Sequence, residues 1–167
     1  GQVGLVREQT QWMLDILEDP ERTGVVVTTT PEEMPVIESI ELLQRLTAET
    51  GTHPAAVVAN RVLPAMFDRT EQKVARGVPA AVSVLVDAVG PGAAAVVEAA
   101  SIIEARRSIG VEHLDRLRNV VSELVPAVPA GGRSCPVPII TVPELFSRAH
   151  GKRVVTLVAD GLEDELC

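Results

Sequence analysis

Chemistry at phosphate groups often rests on G-x-x-x-x-G-K-[ST], in which glycine amides cradle the phosphates and a lysine reaches the outer oxygens. This chain has only two lysines, Lys73 and Lys152. Lys73 stands in the helical run Glu71-Gln72-Lys73-Val74. Lys152 follows Gly151 but precedes Arg153, and no glycine lies six residues before it. G-x-G-x-x-G, G-x-S-x-G and H-E-x-x-H are also missing. His53, His113 and His150 fall in a loop, a helix and a helix end without metal-ligand spacing, and read as structural or solvent-facing. Cys135, between Ser134 and Pro136, has no evident base partner and reads as an ordinary thiol. It lies far from Cys167, so neither a disulfide framework nor a CxxC zinc site is on offer. The residue best placed for ligand chemistry is Asn60, at the end of an apolar run.

The elements that would position it are legible from periodicity. Val3, Val6, Thr10, Met13 and Leu17 recur at helical spacing, with Leu5, Trp12 and Ile16 widening the stripe. That helix should end near Asp19-Pro20, since a residue before proline is pushed out of the α region. The β-branched run 25–29 suits a buried strand. Residues 35–50 read as an amphipathic helix closed by Gly51. Val36, Ile40, Leu43 and Thr47 share one face, Ile37 and Leu46 flank it, and Glu38, Glu41 and Arg45 point outward. A second strand follows at 55–60. Strand, helix, strand with short connections is a right-handed crossover between parallel strands. Asn60 then falls at the carboxyl end of its strand, the edge where open α/β sheets bind ligands.

Residues 68–125 read as helices, with turns at Gly90-Pro91-Gly92 and at Gly110, and small residues over 93–103 favour close packing. A Pro/Gly-rich loop covers 126–138. A third strand is expected over 137–142, where Pro138 favours a sheet edge. Residues 143–149 read as a short helix or turn, and Val154, Leu157, Val158 and Leu162 mark a last helix.

Composition narrows the function class. Hydrophobic residues make up 46% of the 167, so the chain is globular, but aromatics are only 2% and the core must be aliphatic. A net charge of −8 argues against a general nucleic-acid or anionic-membrane binder. No apolar run reaches the roughly 18 residues of a membrane span, and no signal-peptide pattern is seen, so a cytoplasmic location is expected.

Taken together, 17–23 (L-E-D-P-E-R-T), the strand 25–29, 31–38 (P-E-E-M-P-V-I-E) and 57–64 (V-V-A-N-R-V-L-P) resemble the second half of the ArsA family. These are the anion-transporting and guided-entry ATPases of the deviant-Walker class, here of actinobacterial type. Residues 143–151 (P-E-L-F-S-R-A-H-G) resemble the family's late P-x-L segment, and 154–166 its closing helix. The resemblance is specific at 17–64 and 141–162, while the helices between are compatible with it. It implies an α/β fold, a partial P-loop-NTPase-like parallel sheet of three strands with flanking helices. Residues 1–19 would end a helical subdomain. Residues 20–167 would be the C-terminal part of the ATPase domain, with a helical segment at 68–125.

The same resemblance assigns the site. Asn60 would read adenine, because an amide can donate to and accept from a base edge at once. The alternative is an Asn that only ends its strand. Arg61 sits beside the base and would contact nucleotide or solvent. Pro143 and Glu144 match a loop that closes over adenine, or form a strand-to-helix turn started by proline. Glu32 matches a carboxylate that approaches nucleotide across a dimer interface. Thr30-Pro31-Glu32-Glu33 is equally a capping box with Thr30 as N-cap and Glu33 at N3. Glu38 reads as a solvated helix face. ATP or ADP is the implied cofactor, with Mg²⁺ ligands outside this chain. The family's P-loop, switch segments and CxxC have no counterpart here.

The chain, which starts at Gly1 within a helix, is expected to be a piece of a longer ATPase, with a related chain or a second copy as partner. A sheet edge left open favours such self-association. A non-catalytic interaction module, using the small-residue helices at 68–125, is the competing reading. Phosphoryl transfer depends on positioned cations that this sequence lacks. The chain alone should therefore show no ATP turnover above background. Turnover that disappears in Asn60→Ala would contradict this.

Overall fold

The computed structural model describes residues 2–19, 21–50, 52–124, 136–145 and 151–166, without the side chains of residues 2, 3, 5 and 164–166. Expectations for Pro20, Gly51, Cys135, His150, Cys167, most of the loop at 126–138 and residues 146–149 lie outside the described residues. Three strands, β1 (Val25–Thr29), β2 (Pro54–Val62) and β3 (Ile139–Pro143), form a parallel sheet in the order β1-β2-β3. The flanking helices make it a mixed α/β fold of the partial P-loop-NTPase-like kind expected. Pro138 precedes β3, which is an edge strand of this sheet, and its carbonyl accepts the Val57 N–H at 2.9 Å.

Partners in a parallel sheet point the same way, so Val27, Val57 and Ile139 form one row and Thr29, Ala59 and Thr141 the next. This face carries the core. Helix α2 (Glu33–Arg45), the crossover between β1 and β2, lays Val36, Ile40 and Leu43 on it. Glu38, Glu41 and Arg45 point to solvent, as the helical periodicity predicts. The last turn, Leu46–Thr50, is π-helical, tied by Thr50 Oγ1 donating to the Leu46 carbonyl at 2.6 Å. Leu114, Leu117 and Val121 complete the core from a later helix. Leu43, Leu117, Val36 and Val57 are the largest fully buried side chains. Each contributes about 1.5–3 kcal/mol relative to an exposed position.

That later helix departs from expectation. No turn occurs at Gly110; α5 runs unbroken over Gly92–Glu123, 32 residues or about 48 Å. The physical reason for glycine there is a close approach. A Cβ at Gly110 would stand 3.3 Å from both the Cβ and the carbonyl oxygen of Pro31, in the loop after β1. Only the second half of α5 is buried on the sheet. Its first half joins α3 (Arg69–Ala75), a 3-10 turn at Val78–Ala81 and α4 (Val82–Val89) in a helical arm, where α4 packs along α5. Asp68 caps α3 in a reciprocal capping box with Glu71. Val74, Val84, Val89, Val96 and Ile102 remain exposed on this arm.

Two other boundaries move. Thr30 and Glu33 form no capping box: α2 starts at Glu33, and Glu32 is its N-cap with no side-chain cap bond. The chain leaves β1 through a tight turn in which the Glu32 N–H donates to the Thr30 carbonyl at 2.8 Å, which displaces the helix start by two residues. Residues 143–145 are not helical, since Pro143 ends β3.

On the opposite sheet face, α6 (Lys152–Leu166) packs against β3 over the buried Ile140 and Val142. Val26 and Thr28 of β1 stay exposed there. Helix α1 (Gln2–Glu18) forms as expected, but its stripe is not buried: Val6, Trp12, Met13, Leu14 and Leu17 are all exposed. Thr23 Oγ1, donating to the Ile16 carbonyl at 2.6 Å, fastens the turn after this helix to its last coil.

Leu117 has no slack around it. Leu117→Ala should lower unfolding free energy by about 2–5 kcal/mol in urea titrations, whereas Leu17→Ala should change it by less than about 0.5 kcal/mol.

Candidate functional site

The carboxyl edge of the sheet is irregular where it meets the predicted site. β2 does not stop at Asn60 but continues to Val62, and the register with β3 shifts between Ala59 and Val62. Ala59 pairs with Thr141 and Val62 with Pro143, so Asn60 and Arg61 together face Val142 alone. This is a β-bulge, a device that re-aims side chains at strand ends. Arg61 absorbs the extra residue with φ 60, a left-handed conformation that costs a non-glycine residue about 1–2 kcal/mol. Among the described residues it is the non-glycine residue with positive φ.

The bulge is held from three sides. The Arg61 N–H donates to Asn60 Oδ1 at 2.9 Å, and the Glu144 N–H donates to the Val62 carbonyl at 2.9 Å. Arg61 Nε then donates to Glu144 Oε2 at 2.7 Å, joining residues 83 apart in sequence. The hydrogen bond and charge of Glu144, and more weakly the charge of Glu32, stabilise the Arg61 guanidinium and raise its pKa. The pair is partly open to solvent, so its effect on stability is small. Its consequence is orientation: Arg61 is turned toward the end of β3.

Next to this pair lies a cleft of about 370 Å³ between the sheet edge, the β1–α2 loop and the middle of α5. Glu32, Arg61 and Glu144 all line it, so three residues drawn from three sequence segments converge. Asn60 and Pro143 do not. Ala59 faces the core, and alternation puts Asn60 on the other sheet face. Pro143 ends β3 close to α6, with its Cδ 3.5 Å from the position of a Cβ on Gly161. Glu38 stays in solvent and has no part in the cleft.

The far wall was not visible in the sequence. Arg106, Gly110 and His113 lie at helical spacing on α5 and all line the cleft, as does Arg107. His113 is half-buried there, whereas the Nδ1 of His53 is buried with no hydrogen-bond partner among the described residues. Arg107 is held by Glu104 one turn away, through Nη2–Oε1 at 2.6 Å and Nε–Oε2 at 2.9 Å. That hydrogen bond holds the Glu104 carboxyl below its usual range, with the charge of Arg107 reinforcing it. The i,i+3 spacing of Glu104 and Arg107 is a readable signal for the pair. Nothing in the periodicity says that this stretch of helix crosses the sheet edge.

A second, more apolar cleft of about 650 Å³ lies between α3, the 3-10 turn and α5. Phe67, Val74, Val78, Val97 and Ala100 line it, and Arg107 belongs to both clefts. No group of three or more His, Cys, Asp or Glu side chains is arranged as a metal site among the described residues. No helix among them is long and apolar enough to cross a membrane.

The strain at Arg61 gives a direct test. Arg61→Ala loses the ion pair and keeps the left-handed backbone, whereas Arg61→Gly loses the pair and relieves the backbone. By chemical denaturation Arg61→Gly should be more stable than Arg61→Ala by about 1 kcal/mol.

Two comparisons bear on this geometry. A search of curated proteins finds no match to the chain. The family model described as anion-transporting ATPase matches residues 3–79. The matched span runs from α1 through β1, α2, β2 and α3 into the 3-10 turn, so it includes Glu32, Asn60 and Arg61 and stops before Pro143 and Glu144. Residues 3–79, a little under half of the chain, are thus similar to the anion-transporting ATPase family.

Proposed function

We propose that the carboxyl edge of this sheet holds the base end of an adenine nucleotide, as part of an ArsA-like ATPase that acts in the cytoplasm. The observation that carries the reading is the bulge at Asn60–Arg61 with its tie from Arg61 to Glu144. It spends backbone strain and an ion pair at the edge where open α/β sheets take ligands. The residues suit the group. Asn60 Oδ1 already accepts the Arg61 N–H, but its second lone pair and the amide NH₂ remain for a base edge. Glu144, Pro143 and Arg61 would frame that base, and Glu32 would approach nucleotide across a dimer interface. Mg²⁺–ATP, when bound, would supply an activated phosphoryl group, and the sequence has no G-x-x-x-x-G-K-[ST] loop to position it for cleavage. The whole ATPase would work as a dimer with a second copy or a related chain.

One observation favours a second reading. The apolar cleft on the helical arm, with exposed valines around it, suits a non-catalytic module that pairs with a P-loop-bearing partner chain. Calorimetric titration separates the two. Binding of ADP that is matched by adenosine and not by guanosine, and weakened about tenfold or more by Asn60→Ala, supports the nucleotide reading. Undetectable ADP binding together with tight association with a P-loop-bearing relative supports the module.

A further inference from the structure

Two apolar surfaces stand uncovered among the described residues, one convex and one concave. On α1, Val6, Met13 and Leu17 fall at i, i+7 and i+11 on one side of the helix, with Trp12 and Leu14 flanking them. All five are exposed, Trp12 at 59%. A contiguous patch of this kind marks an interaction face, as single exposed residues do not. The concave surface is the arm cleft of about 650 Å³, where Phe67, Val74, Val78, Val96, Val97 and Ala100 supply the apolar lining. Val74 and Val96 are each 69% exposed, and no described residue of α1 lines the cleft. An apolar helix face and an apolar groove are the two halves of helix-in-groove recognition.

The charges around the two surfaces are opposite in sign. Glu8 and Asp15 stand four residues before and three residues after Trp12, so both carboxylates border it on the helix surface. Glu18 adds a third acid to α1, against the single cation Arg7. On α3 and its C-cap, Arg69, Lys73 and Arg76 fall at i, i+4 and i+7 and form a basic row, with Arg76 lining the cleft. Glu71, the acid of α3, is turned back to accept the Asp68 N–H in the cap. Glu8, Asp15, Glu18, Arg69, Lys73 and Arg76 form no ion pair among the described residues. On a chain of net charge −8, this basic row is a local exception, and an acidic, apolar helix is the partner it attracts.

We propose that the arm cleft receives helix α1 of a second copy of this chain, with Trp12 and the Val6–Met13–Leu17 side entering between α3 and α5. Glu8 and Asp15 of that copy then lie beside Lys73 and Arg76. This contact is independent of nucleotide binding and gives the cleft a different occupant from a P-loop-bearing chain. Self-association should set in at concentrations on the order of 10–100 μM, the strength of a contact of small area. It should weaken as salt is raised. Trp12 is the chain's single tryptophan, so its emission reports the contact and should move to shorter wavelength as the chain associates.

Sedimentation equilibrium and tryptophan emission over a concentration series decide the matter. Trp12→Ala on the helix and Val96→Asp on the cleft should each weaken association about tenfold or more while leaving the thermal transition of the dilute chain in place, since both side chains are exposed. In the Val96→Asp chain the Trp12 emission should stay at long wavelength at every concentration. Lys73→Glu with Arg76→Glu should weaken association about tenfold, and adding Glu8→Arg with Asp15→Arg should recover it. Association that survives both Trp12→Ala and Val96→Asp runs through another surface, such as the open sheet edge, and would overturn the proposal. A chain that stays monomeric throughout the series would overturn it as well. Tight binding of a P-loop-bearing relative by such a monomer would give the cleft to that partner.

Discussion

The second half of α5 lies across the sheet, and the cleft at the carboxyl edge depends on that contact. Leu114, Leu117 and Val121 fill the space between β2 and α2, where Val57, Ala59, Val36 and Leu43 meet them. With only two Phe and one Trp in the chain, this core has no large ring to tolerate loose fitting. It relies on close packing of branched aliphatic side chains. Gly110 extends the contact beyond the core by letting the helix backbone touch Pro31. The β1–α2 loop is thereby fixed against α5, and Glu32 and Arg106 come to share one cleft.

The same edge shows how a strand end becomes a site. A regular β2 would leave Arg61 alternating with its neighbours and the end of β3 unconnected to it. The bulge places two residues opposite one, and the ion pair to Glu144 joins the two strand ends. It also divides the edge. Asn60 belongs to the α6 side of the sheet by alternation from Ala59, whereas Arg61, Glu144 and Glu32 line the cleft on the α5 side. A planar base and the group attached to it would straddle the ends of β2 and β3 rather than sit in one enclosed hole.

Much of the scaffold was legible in the sequence, and the reasons are local. Val25–Thr29 is a β-branched run with matching ends in the structure, and the 3.6-residue period of Val36, Ile40 and Leu43 fixed the buried face of α2. Short connections implied parallel pairing. What could not be read depends on contacts distant in sequence. Gly110 looks like a turn until Pro31 is placed against it. The extra residue at Arg61 is invisible without the register of β3, and the capping box at Thr30 yields to the turn out of β1. The apolar stripe of α1 has helical spacing yet stays exposed, because periodicity shows that a face is apolar and not what covers it. Of the candidate site, Glu32, Arg61 and Glu144 converge as strand ends and loops allow. Arg106 and His113 join them only through the path of α5.

The central claim is that ligand contacts gather at the ends of β2 and β3. Backbone amide chemical shifts during an adenosine titration test it most directly. The account predicts that the largest changes fall on residues 60–63, 144 and 32, with residues 71–101 of the helical arm little affected. Changes confined to the arm, with residues 60–63 and 144 silent, would contradict it.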